Sequence, residues 1–142
     1  MKCLIWYCKE LYIGNIQVSD KAKDLDSEEK TIDDNNCIFP WITVETEQDY
    51  NYFDDVLKDL NNMKEHFKTN KIVLLPFAHL ANSQVSFKTA FRIICDLEEH
   101  LKKNGFQVTK GHFGSAKDLK MYSPADKMQV IFRSYPKPEY LK

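Results

Sequence analysis

The segment from Gln48 to Asn104 constrains the fold of this chain most. Within it Tyr50, Phe53, Val56, Leu57, Leu60, Met63 and Phe67 recur at three- and four-residue spacing, the core-facing stripe of an amphipathic helix over 48–69. Thr46 is placed to cap that helix, with Asp49 in the first turn facing the positive end of its dipole. Lys71–Leu75 follows as a short continuous apolar strand, stopped by Pro76. A second helix over 86–104 carries Phe87, Ala90, Phe91, Ile94, Leu97 and Leu101 on one face. Ser83 and Ser86 are its start residues, and Gly105 is its stop. Two one-sided helices around a buried strand call for a sheet on which both can pack.

The rest of the chain supplies that sheet. Lys2–Tyr7 and Leu11–Val18 read as two strands, with Gly14-Asn15 marking a kink or turn. Residues 19–36 are polar and read as an exposed loop. Cys37–Glu45 returns to strand character, and Pro40, lacking a ladder donor, implies an edge, a bulge or a strand end. Phe106–Lys110, Asp118–Tyr122 and Met128–Ser134 complete the set. The expectation is one α/β (α+β) domain over 1–135, a mixed β-sheet with two helices packed on it. Residues 136–142, with Pro136-Lys137-Pro138, read as a tail or linker. A chain of 142 residues closes a core of this size without disulfide or metal staples and is too short for a kinase or a TIM barrel.

Charge is unevenly spread. The formal net charge is −1, yet residues 102–142 hold 9 basic against 3 acidic side chains and the preceding residues 11 against 18. A basic C-terminal third either faces a polyanion or decorates exposed strands with lysines. The cysteines Cys3, Cys8, Cys37 and Cys95 form no C-x-x-C pair and no zinc spacing. There is no phosphate-binding loop, no dinucleotide fingerprint and no G-x-S-x-G elbow. No signal peptide or transmembrane run is present, and the expectation is a cytoplasmic protein without cofactor, metal or membrane.

Two segments break the helix-and-strand grammar. Leu75-Pro76-Phe77-Ala78-His79-Leu80 follows a buried strand directly, and ligands bind where strand C-termini bring loop backbone together. A histidine there is either a structural hydrogen-bonder or a catalyst. Gly111-His112-Phe113-Gly114-Ser115-Ala116-Lys117 lies between two strands, its glycines permitting close approach of the backbone. Lys117, at the entrance to the next strand, is either a surface lysine or an amine that orients substrate and polarises a leaving oxygen. His112 reads as a base or a turn residue. Asp33-Asp34 and Asp54-Asp55 read as solvated.

Taken together at this spacing, Pro76-Phe77-Ala78-His79-Leu80, Ala90, Gly105-Phe106-Gln107-Val108 and Phe113-Gly114-Ser115-Ala116-Lys117 resemble the N-terminal editing domain of archaeal-type threonyl-tRNA synthetase. Trp41-Ile42-Thr43-Val44 matches that family's apolar strand ending in S/T-V-E. The resemblance implies a D-aminoacyl-tRNA deacylase-like fold, usually a homodimer, and hydrolysis of the ester of mischarged seryl-tRNA(Thr). It implies a substrate pocket built from the backbone of Val44, Phe77 and Ala78, with Ala90 and Phe113 as walls, and His79 and Lys117 as the catalytic pair. The implied chemistry is attack by a positioned water, assisted by the ribose 2′-OH of the terminal adenosine, with no covalent nucleophile. Partners implied are the aminoacylated tRNA 3′ end and a threonyl-tRNA synthetase catalytic domain in cis or in trans.

The sequence also departs from the family pattern. Ser115 and Ala116 stand where two aromatic residues commonly precede the lysine. The family's G-H-P segment and following acid are replaced by a shorter Tyr122–Lys127, which puts Lys127 about where the acid should be, with neighbouring Asp126 as a candidate substitute. These departures motivate one alternative, a non-catalytic tRNA-binding or synthetase-docking descendant; another is a D-aminoacyl-tRNA deacylase-like activity that uses the same main-chain pocket on another amino acid.

Overall fold

A computed structural model describes residues 1–81 and 85–138. Six strands and two helices follow the order β1 (Lys2–Val18), β2 (Ile32–Thr43), α1 (Phe53–Phe67), β3 (Lys71–Pro76), α2 (Phe87–Lys103), β4 (Gln107–Lys110), β5 (Ser115–Tyr122) and β6 (Val130–Ser134). The strand order is β4-β3-β2-β1-β5, with β6 also pairing β1. β2 and β4 run parallel to β3, whereas β2, β5 and β6 run antiparallel to β1. The mixed α/β architecture expected from the sequence is therefore the one observed.

The first two expected strands are one. Lys9 and Glu10 read as a break, but their side chains are exposed and the backbone stays in the ladder, with Glu10 opposite both Asn35 and Tyr122. This length lets β1 take β6 along Lys2–Trp6 and β5 along Glu10–Val18. The kink expected near Gly14-Asn15 appears as a register shift between Gly14 and Gln17, with Asn15 at φ 52°.

The expected loop over 19–36 is also shorter than its polarity suggests. Ile32–Asn36 belong to β2, and a 3-10 turn spans Asp20–Ala22. Two isolated apolar residues, Ala22 and Ile32, carry the burial that anchors this stretch. Pro40 lies opposite Ile5 inside an interior strand rather than at an edge. Its missing donor falls where the β2–β3 pairing skips from Ile38 to Trp41.

Helix boundaries follow local chemistry. Thr46 caps a 3-10 turn over Glu47–Tyr52 that leads into α1, accepting from Gln48 N at 3.1 Å. Asp49 does more than face a dipole. It is buried, accepts from Glu45 N at 2.7 Å and holds the Met1 amino group at 3.0 Å. α1 ends at Lys68, which adopts the left-handed conformation. Ser86 caps α2, accepting from Thr89 N at 3.3 Å, and Gly105 at φ +92° turns the chain out of it. Ser83, the other expected start residue, lies outside the described residues, as do Glu139–Lys142 of the expected tail. The rest of that tail is anchored, with Lys137 Nζ 3.2 Å from buried Asp59.

Val56, Leu60 and Met63 from α1 and Ile94, Leu97 and Leu101 from α2 pack on Cys3, Ile5, Ile38 and Ile72 of the sheet. A second cluster, including Cys8, Cys37, Phe39, Val73 and Leu75, fills the other face. Burial pushes the Cys8 and Cys37 thiols up to about 12, so both remain protonated packing groups.

Candidate functional site

Because β2 and β3 run parallel, their C-terminal ends open on the same side of the sheet, and a cavity of about 660 Å³ lies there. Its floor is Trp41–Thr43 of β2, Val44 just past that strand, and Leu75-Pro76 of β3. One wall is the first half of α2, through Phe87, Ala90 and Ile94; the opposite wall is β5, through Ser115, Lys117 and Leu119. The seven residues that the resemblance implies as pocket and catalytic pair line this one cavity: Val44, Phe77, Ala78, His79, Ala90, Phe113 and Lys117.

The 77–80 loop is positioned by β2. Phe77 N donates to Ile42 O at 2.9 Å, extending the parallel pairing one residue past the strand. Thr43 Oγ1 donates to Phe77 O and accepts from Leu80 N at 3.3 Å. The hydroxyl of Thr43 therefore bridges both ends of the loop, a role that its place in a β-branched run did not betray. Trp41 and His79 flank the Phe77 ring, at centroid distances of 5.1 and 5.3 Å. His79 itself is exposed at the cavity mouth. Thr43→Val preserves shape and removes both hydrogen bonds. It is expected to cost about 1–3 kcal/mol, read as a lower urea midpoint at unchanged m-value.

The 111–117 segment is a strand entry, not a free loop. β5 begins at Ser115, so Lys117 sits inside the strand rather than at its entrance. Gly111 N donates to Leu74 O at 2.8 Å, which brings the backbone against β3. Gly114 adopts φ +82°, and a Cβ there would lie 2.4 Å from Ala22 Cβ. Phe113 packs edge-on against Phe87 and Phe91 at 5.3 and 5.6 Å, which fixes the wall it forms.

Lys117 Nζ donates to Ser115 O at 2.9 Å and has no carboxylate partner among the described residues. Burial among the apolar walls holds its ammonium below the ordinary lysine range. His112 is buried and does not line the cavity; its Nδ1 has no hydrogen-bond partner. Burial first, then the Lys117 charge, pushes its pKa down and keeps it neutral.

Asp126, the candidate substitute acid, is elsewhere. Its Oδ1 lies 2.8 Å from His66 Nε2 and accepts from Met128 N at 2.8 Å, and it does not line the cavity. Among the described residues no Asp or Glu lines the cavity at all. Two lysines do: besides Lys117, Lys21 comes from the stretch that read as an exposed loop. No local sequence signal marks Lys21; only the fold brings it there. Among the described residues no group of three or more His, Cys, Asp or Glu is placed to hold a metal ion. No described helix is long and apolar enough to cross a membrane.

The model of the archaea-specific editing domain of threonyl-tRNA synthetase matches residues 1–134. The threonine–tRNA ligase of Methanococcus aeolicus is 28% identical over 128 residues, covering 85% of this chain and 19% of that protein. That of Methanocaldococcus jannaschii is 31% identical over 88 residues, 60% of this chain and 14% of the relative. That of Thermococcus kodakarensis is 26% identical over 112 residues, 74% and 18% respectively. The chain spans less than a fifth of the length of each of these relatives.

Proposed function

We propose that this chain, which belongs to the archaea-specific editing-domain family of threonyl-tRNA synthetase, hydrolyses the ester of mischarged tRNA, with seryl-tRNA(Thr) as its substrate. The observation that carries this reading is the convergence of the seven residues implied as pocket and catalytic pair on one cavity that, among the described residues, contains cations and no carboxylate. Ester hydrolysis develops negative charge on the carbonyl oxygen, and an ammonium in a poorly solvated wall stabilises that charge at little reorganisation cost. Lys117 takes that role. Water adds to the carbonyl carbon, the oxyanion collapses, and the ribose oxygen leaves with a proton. The neighbouring ribose hydroxyl and His79 at the mouth orient the water and the substrate. No side chain needs to become acylated, in keeping with thiols at Cys8 and Cys37 that burial keeps protonated.

The biological logic of such a site is physical. One methyl group gives a synthetic site only about 1–3 kcal/mol of discrimination, so the smaller amino acid escapes and a second site removes it. The same reading takes a tRNA 3′ end as ligand, a cytoplasmic location, a second copy of the chain and a synthetase catalytic domain in cis or in trans as partners.

A second reading rests on Asp126, which is held by His66 rather than by the cavity. A site without an acid fits a descendant that binds aminoacylated tRNA and does not turn it over. A panel of L- and D-aminoacyl-tRNAs incubated with the chain, with Lys117→Ala and with His79→Ala separates these. The first reading predicts rapid loss of the seryl ester alone, slowed in both variants. Binding that weakens steeply with salt, with every ester surviving as in buffer, favours the second. Loss of a D-aminoacyl ester instead would assign the site a different amino acid.

A further inference from the structure

The cavity has a cationic rim that the reaction does not use. Lys21 stands on the Asp20–Ala22 turn and lines the same cavity as Lys117 and His79. Three contacts dock the segment carrying it. Ser19 N donates to Gly114 O at 2.9 Å, Ala22 is buried against Gly114, and Phe113 N donates to Ser27 Oγ at 2.9 Å. The rim is therefore fastened to the wall that holds Phe113.

The charge at this rim is available. Asp20, the nearest acid in sequence, is engaged by Lys23 at 2.7 Å. Lys21 has no ion-pair partner among the described residues, and its Nζ lies 6.0 Å from the Phe87 ring centroid, over an apolar wall. Lys21 is exposed, whereas Lys117 is half-buried within the wall. A cavity of about 660 Å³ is also larger than a three-carbon acyl group fills, which leaves room for a nucleoside beside it.

We infer that Lys21 binds the 5′-phosphate of the terminal nucleotide whose acyl group enters the cavity. The ligand class is an aminoacylated nucleoside 5′-phosphate, and the inference rests on the proposed aminoacyl-tRNA reading of this site. A single ammonium on a docked turn registers the nucleotide, while Lys117 addresses the acyl carbonyl deeper in. Phosphate contacts position a nucleic acid without reading its bases, so Lys21 sets how far the acyl end reaches.

The test uses two non-hydrolysable probes, 3′-deoxy-3′-serylaminoadenosine with and without a 5′-phosphate. Their binding to wild type, Lys21→Ala and Lys21→Arg is measured by calorimetry at low and high salt. The phosphate is expected to tighten wild-type binding about tenfold, the scale of one charge-assisted hydrogen bond. Lys21→Ala is expected to lose that increment and Lys21→Arg to keep most of it. The probe without phosphate binds all three proteins alike. Equal binding of the two probes by wild type, or an increment that survives in Lys21→Ala, overturns the inference. Because the probes carry an amide, the outcome does not depend on turnover. Binding as expected with no deacylation of seryl-tRNA would sink the catalytic reading and leave the Lys21 assignment standing.

Discussion

Lys117→Met is expected to slow deacylation about 10²–10³-fold, the usual consequence of removing one preorganised oxyanion-stabilising group, while raising the melting temperature. The two effects have one cause. Burial lowers the Lys117 pKa, so the folded protein binds that proton less tightly than the unfolded chain does. The resulting cost to stability is full at pH values below the folded-state pKa of Lys117. It disappears as pH rises past the ordinary lysine value, where both states are neutral. The stability advantage of Lys117→Met over wild type should therefore be constant at neutral pH and shrink in alkali. Lysines held in an ion pair behave otherwise. Lys71, 2.7 Å from Asp34, should lose stability on the same substitution.

The catalytic arm has its own pH signature. In the proposed mechanism protonated Lys117 is the active form, so the rate over buffer should fall as pH rises through its lowered pKa. Lys117→Arg, with a guanidinium that stays charged, should lack that alkaline limb whatever its absolute rate. An unchanged limb in Lys117→Arg would show that another group titrates.

Gly114→Ala is expected to cost about 2–4 kcal/mol, combining a left-handed backbone with overpacking. The left-handed φ is only part of this. At Gly105, also at positive φ, a Cβ would meet nothing within 4 Å, whereas at Gly114 it would meet Ala22 at 2.4 Å and Phe87 at 3.0 Å. Gly105→Ala is therefore the control, expected to lose about 1 kcal/mol for backbone strain alone. Gly114→Ala should also push the Asp20–Ala22 turn off its seat and expose residues 19–31 to limited proteolysis. Urea unfolding of the two variants side by side reads the difference. Equal midpoints would mean that the rim does not press on the Phe113-Gly114 turn.

Much of the fold is legible in the chain because its strongest signals are periodic. The stripes through Leu60 and Leu97 need a burying surface, and the apolar run Ile72–Leu75 needs cover on both sides, whatever the rest does. The errors fall where polarity and backbone part company. Lys9 and Glu10 are polar and exposed and still belong to a strand, because antiparallel pairing asks only for backbone. Pro40 sits in an interior strand, because the sheet tolerates a gap in pairing on one side. At the cavity, the residues that the resemblance singles out come together, since short loops after β3 and before β5 hold them near the strand ends. What stays invisible is supplied by sequence-distant segments. Lys21 reaches the cavity only through the docking of a polar stretch on Gly114. Thr43 acts through a loop more than thirty residues later. Lys127 falls about where the family has its acid, and the neighbouring Asp126, which could substitute, is claimed by His66 of α1.

The cavity between β2, β3, α2 and β5 is proposed to remove serine from tRNA(Thr). Single-turnover decay of labelled seryl-tRNA(Thr), followed beside threonyl-tRNA(Thr) and a buffer control, measures it most directly. The expected result is fast decay of the seryl ester that depends on Lys117, with the threonyl ester surviving near its buffer lifetime. A seryl ester that decays no faster than in buffer, or equally fast with Lys117→Met, would contradict it.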